Sequence, residues 1–148
     1  NLCVGTPVGA FYETLGGGAG ATKQSDGGSA VQVHMTNTKG TDVEELEHRF
    51  PVQMLCWKIR KNSGGRGCTN GGDGMIKEWL FLAPASISIL ATRRAFFGKG
   101  LLGGMSGDLG KDERDIGMGW EVSPVEWEAK IGDKLRISTP GGSGFGKP

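Results

Sequence analysis

Hydrogen-bonding side chains concentrate in one short stretch of this 148-residue chain. Residues 34–49 hold both histidines, together with an Asn between two Thr, an Asp, three Glu and an Arg. A buried polar group without a partner costs about 1–3 kcal/mol, so these groups must satisfy one another, be hydrated, or serve a function. Directional hydrogen bonding to a substrate, or to a reaction intermediate, is the chemistry that such side chains support.

The two histidines could instead be metal ligands. Glu44 and His48 have the i, i+4 spacing of neighbours on one helix face, but a zinc site needs three or four ligands. For His48 we favour a solvated position on a helix surface. For His34 the residues alone leave two interpretations open, a metal ligand and a hydrogen-bonded wall residue.

A short helix is the first element expected to position these side chains. Thr41 is the predicted N-cap, Glu44 completes a Thr-x-x-Glu capping box, and Pro51 ends the helix after Phe50. The residues expected to point inward are Val43, Leu46 and Phe50.

Most of the remaining chain has β character between groups of glycine, of which there are 28. The predicted strands are 52–60, 75–82, 85–91, 125–129 and 134–138. Alternation should bury Leu55, Trp57 and Ile59 on one face of the first of these, and Ile76, Trp79 and Phe81 should anchor the second. The last two strands are predicted as a pair joined through residues 131–133. Residues 96–119 are too rich in glycine and charge to assign.

The repeated glycine doublets indicate tight turns, bulges or a packed layer of loops, because glycine permits positive φ and close backbone approach. The predicted fold class is mainly β: a glycine-rich antiparallel sheet domain with one or two short helices. One glycine group, residues 141–147, has the Gly-x-x-x-x-Gly-Lys spacing of a phosphate loop. Pro148 stands where that loop needs Ser or Thr, so we reject a phosphate loop there.

Composition bounds the class of protein. The net charge of +1, from 17 basic and 16 acidic residues, provides no electrostatic footprint for nucleic acid. No apolar run approaches the roughly 18 residues of a membrane span, and no signal peptide is visible. The three cysteines lack a Cys-x-x-Cys motif, which favours free thiols in a reducing compartment. We therefore expect a soluble, cytoplasmic protein, and the missing initiator Met suggests a start inside a longer reading frame.

Several blocks in one order resemble the hydantoinase B/oxoprolinase family. They begin with Phe-Tyr-Glu-Thr-Leu-Gly-Gly-Gly at 11–18, His-Met-Thr-Asn-Thr at 34–38 and Glu-Leu-Glu-His-Arg-Phe-Pro at 45–51. Later blocks lie at 62–67, 71–74, 88–94, 100–104 and 139–146. The resemblance covers almost the whole chain and concerns the C-terminal part of the family's B domain. It implies that residues 1–148 are a single or partial domain, a C-terminal fragment of a larger α+β protein.

The resemblance implies a hydrolase reaction, the ATP-dependent opening of a cyclic amide such as 5-oxoproline or a hydantoin, as in 5-oxoprolinase and N-methylhydantoinase. Related members carboxylate ketones. In this scheme the partner, a hydantoinase A-type ATP-binding domain or polypeptide, phosphorylates the amide oxygen. The B domain then supports attack by water and cleavage of the C–N bond. ATP and a divalent metal are implied for the complete enzyme, but neither is expected on this segment. The upstream part of the B domain is a second implied partner, and an oligomer is expected.

Within that scheme we assign this segment to the wall and scaffold of the lactam-opening site. The predicted catalytic residues are Glu13, His34 and Asn37, and the predicted substrate-binding residues are Tyr12, Thr36 and Thr38. The alternative is a non-catalytic remnant that serves as a structural or interaction module. Departures from the family pattern support it, chiefly at residues 68–70 and at Ser143, where the family usually has glycine.

Overall fold

The structure is a computed structural model that describes residues 1–33 and 38–148. Those residues form nine strands and one helix, with antiparallel strand pairing throughout. The elements are β1 (Leu2–Thr6), β2 (Gly9–Glu13), α1 (Val43–Arg49), β3 (Val52–Arg60), β4 (Gly74–Phe81), β5 (Ala85–Ile89), β6 (Lys111–Asp115), β7 (Trp120–Val122), β8 (Glu126–Ala129) and β9 (Lys134–Ser138). The predicted class, mainly β with a short helix, is confirmed.

The strands form two sheets whose inner faces share one core. The first sheet has the order β2-β1-β5-β8, and the second has the order β3-β4-β9-β6-β7. Phe81 of the second sheet meets Trp127 of the first edge to face, with ring centroids 6.2 Å apart. Full burial of one such apolar side chain contributes about 1.5–3 kcal/mol, so this shared core is the main force that joins the sheets.

Strand β4 confirms two of its three predicted anchors. Trp79 and Phe81 are fully buried in the core. Ile76 is only half-buried, because it lies on the opposite face of the strand from these aromatic residues. The position in phase with the core is instead Lys77, which is 1% exposed.

Strand β3 matches its predicted range, but the predicted common face of three residues is wrong. A β-bulge follows Met54 and leaves Leu55 as an extra residue in the ladder. Beyond the bulge Trp57 lies opposite Lys77 on the inner face, and Ile59 shares that face. Both side chains remain more than 40% exposed, so this half of the inner face is only partly covered.

The two C-terminal strands do not pair with each other, which corrects the predicted hairpin. Strand β8 is hydrogen-bonded to β5 in the first sheet, whereas β9 lies between β4 and β6 in the second. The turn at Gly132, with φ of 90°, carries the chain from one sheet to the other. A short glycine turn serves a crossover of this kind as well as it serves a hairpin.

Two further hairpins were not predicted. Strands β1 and β2 pair around the turn at residues 7–8, and β6 pairs with β7 inside and just after the unassigned residues 96–119. In the second turn Asp115 accepts hydrogen bonds from the backbone amides of Gly117 and Gly119, each 3.0 Å long. Those bonds, the Gly117 bond foremost, lower the pKa of the Asp115 carboxyl group.

Helix α1 is present, but its predicted cap is wrong. Asp42 is the N-cap, and its Oδ1 accepts the backbone N–H groups of Glu44 and Glu45 at 3.0 and 3.3 Å. Asp is as good a cap as Thr, and its negative charge also favours the positive end of the helix dipole, so the helix begins one residue later than a Thr41 cap would place it. Leu46 is buried as predicted.

The glycine groups form a packed layer, as predicted. Segments 17–21, 64–72, 104–108 and 139–146 lie side by side, and we call them the glycine layer. The amides of residues 18 and 21 donate to the carbonyls of residues 140 and 143, respectively. The amides of residues 142 and 145 donate to the carbonyls of residues 72 and 69, respectively. Partners therefore recur every third residue, which is the repeat of a polyproline II helix, whereas a β ladder repeats every second residue.

Backbone contact in the glycine layer leaves no room for side chains. A Cβ atom on Gly18 would lie 1.8 Å from the carbonyl oxygen of Gly72, and one on Gly142 would lie 1.8 Å from that of Ala19. Glycine is needed at these positions for close approach, as at the crowded axis of collagen.

Candidate functional site

A cavity of about 680 Å³ lies between the first sheet and the glycine layer. Its size is within the range of small-molecule sites, about 300–1,000 Å³. One wall consists of residues 14–15 and 31–33, a second of residues 89–94, and the glycine layer supplies residues 17–21 and 139–144. We call it the sheet–layer cavity.

Two segments that flank the predicted site residues are joined at this cavity. The side-chain amide of Gln32 donates to the carbonyl oxygen of Thr14 at 2.9 Å, and the backbone amide of Val31 donates to that of Gly17 at the same distance. The chain directly after Glu13 is therefore held against the chain directly before residue 34.

The charges at the cavity are mostly positive. Arg93, Arg94 and Lys99 all line it. Arg94 is neutralised, since its Nη2 and Nε donate to the two carboxylate oxygens of Asp112 at 2.6 and 2.8 Å. Burial lowers the pKa of the Asn1 α-amino group at the same cavity, and the Arg94 charge acts in the same direction. Across residues 1–33 and 38–148, neither Arg93 nor Lys99 forms an ion pair.

Glu13 faces the core between the two sheets. It is 3% exposed and forms an ion pair with the equally buried Lys77 of β4. The Lys77 ammonium also lies 3.7 Å from the ring centroid of Trp57, a cation–π contact. Within the described part of the chain, the second carboxylate oxygen of Glu13 has no hydrogen-bond partner. Glu13 does not line the sheet–layer cavity, although the next residue, Thr14, does.

Sequence reasoning missed Lys77, although a signal for it existed. Lys77 is separated by an even number of residues from the buried Met75, Trp79 and Phe81, so strand periodicity places it on the same core face. A charged residue in that phase requires a buried partner.

Tyr12 lies on the opposite face of β2 from Glu13, as strand alternation requires. It is 57% exposed and lines a separate cavity of about 470 Å³ on the outer face of the first sheet. The structure thus separates these two predicted site residues. Thr38 is exposed to solvent. The other three, His34, Thr36 and Asn37, lie outside the described residues.

The remaining motifs offer neither metal ligands nor a phosphate cradle. In the described ranges, no three His, Cys, Asp or Glu side chains come together as a metal site would require. His48 is exposed on α1. In the glycine run at 141–147, the amides of residues 141, 142 and 144–146 all donate to protein carbonyl groups, so they are engaged within the glycine layer. Among the described residues, no helix has the length and apolarity to cross a bilayer.

The family model described as Hydantoinase B/oxoprolinase matches residues 2–148. The chain belongs to the hydantoinase B/oxoprolinase family. The resemblance seen in the sequence blocks is therefore confirmed, and the sheet–layer cavity and the glycine layer are features of a member of this family.

Two relatives show the depth and extent of the similarity. The chain is 45% identical to 5-oxoprolinase 1 of Arabidopsis thaliana, over 99% of its own length and 12% of that protein. It is 26% identical to the B-type component of a putative D-/L-hydantoinase of a Pseudomonas species, over 93% of its length and 24% of that protein. The chain therefore spans only a small share of the curated relatives that it matches.

A solved structure supports the fold. The crystal structure of the ATP-dependent caprolactamase from Pseudomonas jessenii superposes with a TM-score of 0.87 and 22% identity. The match covers 99% of this chain and 28% of that one. The two-sheet arrangement described above is thus a fold that also occurs within that larger protein.

Proposed function

We propose that this chain forms part of the wall and scaffold of a lactam-opening site in an ATP-dependent cyclic-amide hydrolase of the 5-oxoprolinase or hydantoinase type. Relatives that carry the name 5-oxoprolinase support the reaction class. The chain spans 12% of the length of each of these two relatives, so the activity is proposed for a complete enzyme of their kind.

One observation carries the proposal at the level of the site. The sheet–layer cavity is the place where the chain that follows Tyr12 and Glu13 is hydrogen-bonded to the chain that precedes His34. A cavity of this volume holds a five-membered lactam with space for a second group. Val33 is the last described residue of this segment that lines the cavity. Because they follow Val33 closely in the sequence, we propose as hydrogen-bonding groups of the site His34, Thr36, Asn37 and Thr38.

Within residues 1–33 and 38–148, no group of side chains could hold a metal ion. ATP bound by a hydantoinase A-type partner supplies activation of the amide oxygen. The role proposed for this chain is to orient the ring, to exclude bulk water and to donate or accept hydrogen bonds as the C–N bond breaks.

The test compares variants in the complete assembly of this protein with an A-type ATP-binding partner. We expect His34→Ala and Asn37→Ala to lower kcat for ATP-dependent opening of 5-oxoproline by about 100-fold, since a positioned acid–base or hydrogen-bonding group contributes about 10²–10⁴-fold. Melting temperatures should stay within about 2 °C of the wild type.

His48→Ala and Lys147→Ala are matched controls, because both side chains are exposed. Normal turnover in the His34 and Asn37 variants, or activity lost only through unfolding, would favour the non-catalytic structural module instead.

A further inference from the structure

Two positively charged residues, Arg93 and Lys99, line the sheet–layer cavity, and neither forms an ion pair with a described carboxylate. A Cβ atom built on Gly98 would lie 1.6 Å from Nη1 of Arg93, so the guanidinium group occupies the space beside Gly98. Lys99 is the next residue and also lines the cavity. The same hypothetical Cβ atom would lie 3.0 Å from the hydroxyl oxygen of Ser143. Arg93 and Ser143 therefore flank Gly98, and Lys99 lines the same cavity.

The backbone holds Arg93 in this place. Its φ of 55° lies in the left-handed region, which is rare for a residue with a side chain. The amide of Gly110 donates to the Arg93 carbonyl at 2.9 Å, and the Ser143 hydroxyl donates to the Gly98 carbonyl at 2.6 Å. Both segments that present the charges are thus anchored by hydrogen bonds.

The neighbouring Arg94, unlike Arg93 and Lys99, has a counter-charge. Arg94 is held by both carboxylate oxygens of Asp112. No described carboxylate forms an ion pair with Arg93 or Lys99. Like charges in one cavity repel, and an anion bound between them would remove that repulsion while accepting charge-assisted hydrogen bonds.

We propose that Arg93 and Lys99 form an anion subsite of the sheet–layer cavity, which takes the carboxylate or phosphate group of a small molecule. The planar guanidinium group suits two-point binding of either oxyanion, and the lysine adds a point charge. That this anion belongs to a lactam substrate, or to its phosphorylated form, rests on the function proposed above. The subsite itself rests on the geometry.

The subsite is tested by isothermal titration of inorganic phosphate and of 5-oxoproline into the complete protein that carries these residues. Arg93→Gln and Lys99→Gln should each weaken phosphate binding by about tenfold or more, the loss expected for one charge-assisted hydrogen bond. Gly98→Ala should weaken it similarly, since the new methyl group displaces the guanidinium group. Lys61→Gln is the control, because Lys61 is exposed and does not line the cavity.

A comparison of ligands identifies the source of the anion. The ring analogue 2-pyrrolidinone lacks the carboxylate of 5-oxoproline. If 5-oxoproline competes with phosphate and 2-pyrrolidinone does not, the subsite takes the substrate carboxylate. If phosphate binds and 5-oxoproline does not compete, the subsite takes a phosphoryl group. Both results support the subsite.

Absence of binding by both anions, or binding unchanged in the Arg93 and Lys99 variants, would overturn it. Arg93 and Lys99 are both exposed, so both variants should fold. If Arg93→Gln does not fold, Lys99→Gln decides. Lactam opening together with unaltered anion binding in these variants would reject the subsite and leave the proposed function standing. If the variants lose anion binding but the wild-type protein opens no lactam, the subsite stands and the proposed function is rejected.

Discussion

Glu13 and Lys77 connect the two sheets through a buried ion pair at the edge of the core. Both side chains are 2% exposed, and Trp57 covers the ammonium group. Desolvation of two buried charges offsets much of their attraction, so the pair itself adds little to the free energy of unfolding. Loss of either partner, by contrast, would leave an uncompensated charge in the core.

Removal of one partner should therefore be far more harmful than removal of both. Lys77→Met leaves the Glu13 carboxylate buried and unpaired, which should lower the free energy of unfolding by about 3–5 kcal/mol. The double variant Glu13→Gln with Lys77→Met should lose much less, and urea denaturation of the wild type and the two variants measures the difference.

Lys58→Met is the matched control for this pair, because Lys58 lies on the neighbouring strand and is exposed. A Lys77→Met protein as stable as the control would show that the buried pair is not structural. Glu13 would then remain available for the catalytic role predicted from the sequence.

The glycine layer is the element that most constrains this chain. Its segments exchange hydrogen bonds every third residue, and their backbones touch where a side chain would otherwise stand. Because the layer also supplies the residues 17–21 and 139–144 that line the sheet–layer cavity, its packing sets the shape of the candidate site.

A single methyl group distinguishes packed from open glycine positions in one segment. Gly18→Ala places Cβ 1.8 Å from the Gly72 carbonyl oxygen and should cost about 1–3 kcal/mol or more, the usual range for overpacking. In Gly20→Ala the nearest atom would be 3.9 Å away, so the change should stay within about 0.5 kcal/mol.

Thermal unfolding of the two glycine variants, compared at equal pH and salt, provides the measurement. Equal melting temperatures would mean that the glycine layer accepts a methyl group at Gly18 without loss of stability. Close backbone packing in the layer would then not contribute to the stability of the fold.

At the scale of the whole molecule, the chain spans 12% of the Arabidopsis 5-oxoprolinase that it matches. Much of the inner face of β3 is also only partly covered, with Trp57 and Ile59 more than 40% exposed. The partly covered inner face of β3 leaves apolar surface that a further packing partner could bury.

We therefore expect the 148-residue chain by itself neither to hydrolyse ATP nor to open 5-oxoproline. The physical reason is that the described residues hold no cluster able to bind a metal, and the glycine-run amides are engaged with protein carbonyl groups. Coupled-enzyme phosphate release and chromatographic detection of glutamate measure the two activities. Turnover that a chelator abolishes would contradict this expectation and revive a metal site that includes His34.

The sequence by itself determined the class of the fold and the location of most elements. Apolar and β-branched residues between glycine groups predicted β3, β4, β5, β8 and β9 within a few residues, because strand alternation is a local property. The ordered motif blocks also identified the family over almost the whole chain.

Only the tertiary structure decided which strands pair and what each buried polar group meets. Alternation of apolar residues shows that a strand has a buried face, but it does not show which strand is its neighbour. The pattern of β8 and β9 is the same whether they pair in a hairpin or lie in opposite sheets. Their separation was therefore not predictable. The bulge at Leu55 changed the face of every residue after it. Glu13 and Lys77 are 64 residues apart, and only the packing of the two sheets brings their charges together.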